Sequence, residues 1–274
     1  MTQLIFRKPI FFLLIFTILI IVVLAILFGI KAQDNKLVKC LPIQAGLEYL
    51  KSQTNPDIGL LREAPFAAPH IYWLNNDNSL AAYTFSQLGI SSLGSEITQK
   101  VQQYGENSND FIEVVWGESI TFPPHVATSV LLMQVGQAEI WQEMHNEGPV
   151  FEDWAEYANL GFLGALNTEN QGEHQEAVRI FENTMQLFDN TGFKDKSFNS
   201  IYETYKLALA LYTAGKINVE YADRVTLQKI LLKMQNSNGG FHTHYDSSFA
   251  PTGDTNTETT AFALLALSAV VCEP

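Results

Sequence analysis

The chain has 274 residues, 47% of them hydrophobic, so it can bury a substantial core and disorder is excluded as the default reading. Its 29 acidic residues against 16 basic ones leave a formal charge of -13 with no basic stripe, which argues against a nucleic-acid partner. Two cysteines are too few for a disulfide-framework miniprotein or a four-cysteine zinc module.

A short stub, residues 1–8, ends in Arg7 and Lys8, and from 9 to 30 the chain carries no charge and is almost wholly apolar. As a helix this run measures roughly 33 Å, which matches a hydrocarbon core of about 30 Å. It therefore predicts one N-terminal transmembrane helix. The run is longer than the apolar region of a cleaved signal peptide, Ile30 and Ala32 make a poor cleavage site, and Lys39 before Cys40 spoils a lipoprotein signal. Lys31, Lys36 and Lys39 follow the span, so local charge counting does not orient it, but long domains translocate largely regardless of charge. A short stub held inside places the remainder outside. The reading is a single-pass membrane protein with an extracytoplasmic C-terminal domain: residues 31–41 are a juxtamembrane linker and 42–274 the domain.

Helical periodicity then dominates, beginning at 43–53, where Ile43, Leu47 and Leu50 share one face before Asn55-Pro56-Asp57 stops the run. Further helices are predicted at about 78–88, 94–104, 154–166, 172–188, 198–214, 219–235 and 256–271. Between them, 111–116 and 126–143 are rich in Val, Ile and Thr, and Gly136-Gln137 suits a tight turn, so a β-hairpin insertion is predicted at about 110–145.

A pattern recurs along the domain. Gly59-Leu60-Leu61, a loop and Asp77-Asn78 precede the apolar run at Leu80; Gly240-Phe241, a loop and Glu258-Thr259 precede another at Ala261, with the same offset from glycine to helix start. Gly192-Phe193 followed by Glu203-Thr204 is a shorter copy, and Glu156-Tyr157 before Leu160 a degenerate one. Acids in a first turn favour the helix dipole and the unpaired N–H groups, which alone accounts for each of them. The alternative is that the helices, apolar nearly all round, lie inside the fold and bring Asp77, Glu203 and Glu258 to one shared mouth.

The stretch Leu231-Leu232-Lys233-Met234-Gln235, then Asn236-Ser237-Asn238-Gly239-Gly240-Phe241 and Glu258-Thr259-Thr260-Ala261, resembles the repeats of the α/α-toroid superfamily, the terpenoid cyclases and protein prenyltransferase β-subunits, with Phe241 in place of their usual tryptophan. The resemblance implies a mainly α fold, an α/α toroid of consecutive helical hairpins, and a central cavity. It implies no activity: the Asp-x-Asp-Asp run, a Cys/His zinc set and a thioester motif are all missing. In a closed toroid the first and last helices are neighbours, so Cys40 and Cys272, which flank them, are expected to form a disulfide.

The densest polar-aromatic cluster runs from His70 through Tyr72 and Trp73 to Asn75-Asn76-Asp77-Asn78. Aromatic faces stack on sugar rings while carboxylates and amides bond hydroxyls, so the set suits a glycan-like ligand; the same residues also suit a packed core with a capping pair. Candidate catalytic residues are Asp77, Glu203 and Glu258, two of which would act as acid and base or nucleophile. Candidate ligand contacts are His70, Tyr72, Trp73, Asn78, Glu156, His242 and Asp254. His242, His244 and Asp246 alternate as metal ligands can, but three such residues recur by chance, and no metal or other cofactor is expected. Two other functions stay open: a non-catalytic surface scaffold for a protein partner, and a lipid-active cyclase or isomerase.

Overall fold

The computed structural model describes residues 40–105, 107–145 and 147–270. The stub, the predicted span at 9–30 and Cys272 lie outside them. Helix α1 (Leu41–Ser52) buries Ile43, Leu47 and Leu50 along one stripe, as the spacing predicts, with Pro42 in the first turn where its missing N–H costs nothing. A π-helical turn (Leu74–Ser79) runs into α2 (Leu80–Gln87), and α3 (Ser91–Tyr104) folds back on it, burying only Gly94, Ile97 and Val101. Gly105, at φ 89°, ends α3 in the left-handed conformation that favours glycine. After α4 (Phe111–Trp116) come α5 (Ala158–Asn170), α6 (His174–Met185), α7 (Thr204–Lys216), α8 (Arg224–Lys233) and α9 (Thr257–Val270).

Helices α2, α5, α7 and α9 are buried nearly all round and pack in the order α2–α9–α7–α5. Each is backed by a helix with a single apolar stripe: α3 behind α2, α1 behind α9, α8 behind α7 and α6 behind α5. The buried partners carry the hydrophobic face that an isolated amphipathic helix would expose, which is why the apolar runs at Leu80, Leu207 and Ala261 fold as interior helices. Close packing is enforced at Gly46, where an added Cβ would lie 2.5 Å from Leu264 Cδ2 of α9.

Three small sheets complete the domain. β1 (Thr54–Asn55) pairs antiparallel with β2 (Leu60–Leu61). β3 (Ile71–Trp73) runs parallel to β5 (Ala138–Met144), which forms an antiparallel hairpin with β4 (Thr128–Val135) across Gly136-Gln137. β6 (Tyr202–Glu203), β7 (Phe241–Tyr245) and β8 (Pro251–Asn256) make the third, in that order. β3, β6 and β8 lead directly into the π turn, α7 and α9, so the strands deliver the helix starts that carry the repeated acids.

These strands correct the expected mainly α toroid with a single β-hairpin insertion: the described residues are about half helical, with 18% strand spread over three sheets. Among the described residues no helix is long and apolar enough to cross a membrane. Two local readings are also corrected. Residues 111–116 form a helix rather than part of the β insertion, because a six-residue apolar run fits a buried strand and a buried helical turn equally well. The helix expected from 198 starts at Thr204, because Tyr202 and Glu203 pair instead with Tyr245 and His244.

Candidate functional site

Asp77 lies in the π turn and is 1% exposed. Its carboxyl takes backbone hydrogen bonds at Glu258 and Trp73, so it caps the start of α9 rather than of its own helix; its Oδ2 has no partner among the described residues. Burial, then the Glu63 and Glu258 carboxylates, push its pKa well above the ordinary aspartate value. Asn78 is a clamp: its Oδ1 accepts from Leu61 N–H at 2.7 Å and its Nδ2 donates to Leu61 O at 3.0 Å and Trp73 O at 2.8 Å, fixing the turn to β2.

Beside this turn a cavity of about 290 Å³ opens between the N-terminal ends of the buried helices and β5. One wall is apolar: Phe111 and Ile112 of α4, Leu163 of α5, Leu209 of α7 and Phe262 of α9. The other is polar: Asn76, Asn109, Glu143, His145, Asn159, Tyr205 and Glu258. A chain of hydrogen bonds organises it. Asn109 Nδ2 donates to Asn76 Oδ1 at 3.2 Å and to the Glu143 carbonyl at 2.7 Å, and Asn76 Nδ2 donates to Glu143 Oε1 at 2.9 Å. His145 Nε2 sits 3.1 Å from the same Oε1, its Nδ1 lies 3.2 Å from His125 O, and its ring stacks on Phe111 at 3.6 Å. Both ring nitrogens thus lie within hydrogen-bond distance of an oxygen, which fixes the ring between Glu143 and the backbone at His125.

The two cavity carboxyls are pushed in opposite directions. Burial works to raise Glu143, but the hydrogen bonds from His145 and Asn76 and the charge of His145 outweigh it, and its pKa ends below the ordinary glutamate value. Glu258, in the first turn of α9, is raised to about 8 by burial and by the Glu143, Glu63 and Glu203 carboxylates. Tyr205 is pushed up by burial and then by Glu203 and Glu258, so it stays a neutral phenol. A carboxyl that keeps its proton beside one that loses it is the arrangement that separates an acid from a base.

Of the three carboxylates singled out by the repeat, Glu258 alone lines the cavity. Asp77 is buried behind it, and Glu203 is within electrostatic reach of Glu258 but ion-paired with Lys206. Lys206, only 3% exposed, also donates to Asp195 Oδ2 at 2.6 Å and Ser197 Oγ at 2.7 Å. None of the other candidate contacts reaches the cavity lining. Tyr72 is buried and accepts from Asn55 Nδ2 at 2.9 Å, while Trp73 Nε1 donates to Glu63 Oε2 at 3.0 Å. His70 is exposed, and Glu156 makes a surface ion pair with Lys196 at 3.3 Å. His242 bonds Asn236 at 2.8 Å and Gly253 O at 3.0 Å; Asp254 Oδ2 accepts from Phe66 N–H and Ala67 N–H. Cys40 precedes α1 and is half-buried; its proposed partner Cys272 lies outside the described residues. Among the described residues no three His, Cys, Asp or Glu side chains are grouped to hold a metal ion.

Sequence reasoning missed Glu143, His145, Asn109, Phe111, Asn159 and Tyr205. A signal existed for the first two: at the end of a predicted strand, residues two apart project from one face, so Glu143 and His145 belong together. Asn76 stood inside the amide cluster without being given a role.

The chain matches no protein-family model, no curated protein and no solved structure at a significant level.

Proposed function

We propose that this domain binds and processes a small polar, glycan-like ligand by acid–base chemistry, with Glu258 as the proton donor and Glu143 as the ionised base or nucleophile. The observation that carries this reading is one cavity lined by two carboxyls in opposed surroundings, Glu143 hydrogen-bonded to Asn76 and His145 and Glu258 set among the Glu143, Glu63 and Glu203 carboxylates. Glu258 holds its proton near neutral pH and can give it to a leaving oxygen. Glu143, oriented by His145 and Asn76, is placed to activate water or to attack, the two tasks that a carboxylate performs in glycoside hydrolysis. Phe111 and Phe262 offer apolar surface for a sugar ring, while Asn76 and Asn159 are placed to bond its hydroxyls. Asp77 acts as a positioning residue, since it holds the backbone at Glu258. The uncharged run at 9–30 supports a single-pass anchor with the site outside the cytoplasm.

Screening the full-length protein against a glycan panel, with binding and hydrolysis both read out, tests this. Turnover that falls at least a hundredfold in both Glu258→Gln and Glu143→Gln agrees with the assignment. Turnover that survives both substitutions contradicts it.

A second reading has its own support. β4 is an edge strand with Val130, Leu131, Met133 and Val135 between 39% and 44% exposed, and residues 126–138 carry no charge. Natural edge strands are usually protected by charges, so this one favours a docking surface for a protein partner. The lipid-active alternative has less in its favour, because the cavity holds two carboxyls, an imidazole and three amides.

A further inference from the structure

We infer that the ligand of this cavity is a glycoside whose sugar carries a compact apolar group, with the sugar held at the level of Asn159, Tyr205 and Glu258 and the apolar group seated below it on Leu163, Leu209 and Phe262. This deepens the acid–base reading, rests on it for the location of the site, and assigns Phe262 to the group attached to the sugar.

The lining is built in two tiers, because three interior helices contribute the same two positions. In α5, α7 and α9 the second residue lines the cavity: Asn159, Tyr205 and Glu258. So does the residue four further on: Leu163, Leu209 and Phe262. Residues four apart share a helix face, one above the other and about 6 Å apart along the axis. The first of each pair is polar and half-buried, whereas the second is apolar and no more than 5% exposed. A polar belt near the opening therefore stands over an apolar floor one turn deeper. In α4 the half-buried Phe111 is likewise followed by the buried Ile112.

The two tiers ask for different chemistry. Among the described residues the Asn159 amide, the Tyr205 hydroxyl and the Glu258 carboxyl hydrogen-bond no protein group, so the belt is open to a ligand's hydroxyls. The floor offers hydrocarbon alone. An unsubstituted oligosaccharide presents hydroxyls on every side, and one turned to the floor gives up its hydrogen bond to water for none in return. A wholly apolar lipid leaves the belt's amide, phenol and carboxyl unpaired. A sugar bearing an apolar group meets both tiers. At about 290 Å³ the cavity is near the lower end of ligand pockets, which limits that group to a short alkyl chain or a single ring.

The same geometry gives the ligand a direction. Glu258 stands one turn above Phe262 on the same face of α9, so the proton donor lies over the floor. The oxygen it protonates is then the one that joins the sugar to the apolar group. Hydrolysis consumes one water: the bond from the anomeric carbon to that oxygen breaks, and the oxygen takes the Glu258 proton and leaves as the alcohol. The water oxygen joins the carbon, and the proton it loses passes to Glu143. Exchange with solvent restores both carboxyls.

Isothermal titration of the full-length protein in lipid nanodiscs tests the inference, with methyl, propyl, butyl and hexyl glucosides and galactosides as probes and empty nanodiscs subtracted. Affinity should rise about fourfold for each methylene that reaches the floor, giving at least a tenfold gain from methyl to butyl, and then level off. Leu209→Ala enlarges the floor and should move that plateau to a longer chain; the wild-type ladder stands as evidence even if the variant fails to fold. Equal affinity along the series overturns the inference of an apolar group while leaving the acid–base reading intact. A rise without a plateau, as partition into lipid gives, also overturns it, and so does a plateau that stays in place in a folded Leu209→Ala. Absence of binding by every probe overturns the inference, and the glycan panel then decides the acid–base reading separately.

Discussion

Replacing Glu258 by Gln should change how stability depends on pH more than it changes stability itself. The folded-state pKa of Glu258 is about 8, against an ordinary glutamate value of 4.5, so the folded state binds this proton more tightly than the unfolded chain does. The favourable contribution is therefore complete below about pH 4.5, declines as pH rises, and is gone above about pH 8. Each unit of pKa corresponds to about 1.4 kcal/mol, so the whole effect has a ceiling of about 5 kcal/mol, with a slope of about 1.4 kcal/mol per pH unit inside the window. Glutamine imitates the protonated acid and cannot lose a proton. The variant should match the wild type at pH 4.5 within about 0.5 kcal/mol and exceed it by several kcal/mol at pH 8, which for a domain of this size is about 2–4 °C in Tm per kcal/mol. Urea unfolding followed by tryptophan fluorescence between pH 4.5 and 9 measures both curves. Parallel curves across that range would refute the reasoning, because they would mean that Glu258 ionises as it does in water.

Three further outcomes are expected. Asp77→Asn should cost less than about 1 kcal/mol, because an amide oxygen can still accept the backbone N–H groups at Glu258 and Trp73, whereas Asp77→Ala should cost about 1–3 kcal/mol by leaving them unpaired; equal effects in thermal melts would count against the capping role. Gly239→Ala should destabilise by more than about 2 kcal/mol, since Gly239 has φ 92° and an added Cβ would fall on the carbonyl oxygen of Ala45 in α1; an unchanged melting temperature would show that this turn yields easily. Non-reducing peptide mapping of protein from its native membrane should recover Cys40 linked to Cys272, since α1, which follows Cys40, packs on α9, and free thiols at both positions would contradict the pairing.

The helices were legible because their signal is local. Ile43, Leu47 and Leu50 announce one buried stripe, and the runs at Leu80, Leu207 and Ala261 announce helices with no exposed face. Gly136-Gln137 likewise marked its hairpin. The short strands were not legible, since Ile71–Trp73 has only three residues and its partner is β5, beyond three helices. Their existence depends on pairing, not on any pattern of their own. The same holds for the site. Asn76 and Glu143 meet across 67 residues of sequence, and nothing near either one predicts the other. The repeat did point to the acids at the helix starts, but it could not distinguish their fates. Glu258 faces a cavity, Asp77 caps a helix that begins 180 residues later in the chain, and Glu203, at the end of β6, is held by a lysine in the first turn of the helix that follows it.

The central claim is that one cavity holds a protonated Glu258 beside an ionised Glu143. Carboxyl-carbon NMR titration of protein labelled at glutamate, with Glu258→Gln and Glu143→Gln used to assign the two signals, measures it directly. The account predicts one signal titrating near pH 8 that is lost in Glu258→Gln, and another titrating below the ordinary glutamate range that is lost in Glu143→Gln. Two signals that both titrate at the ordinary glutamate value would contradict it.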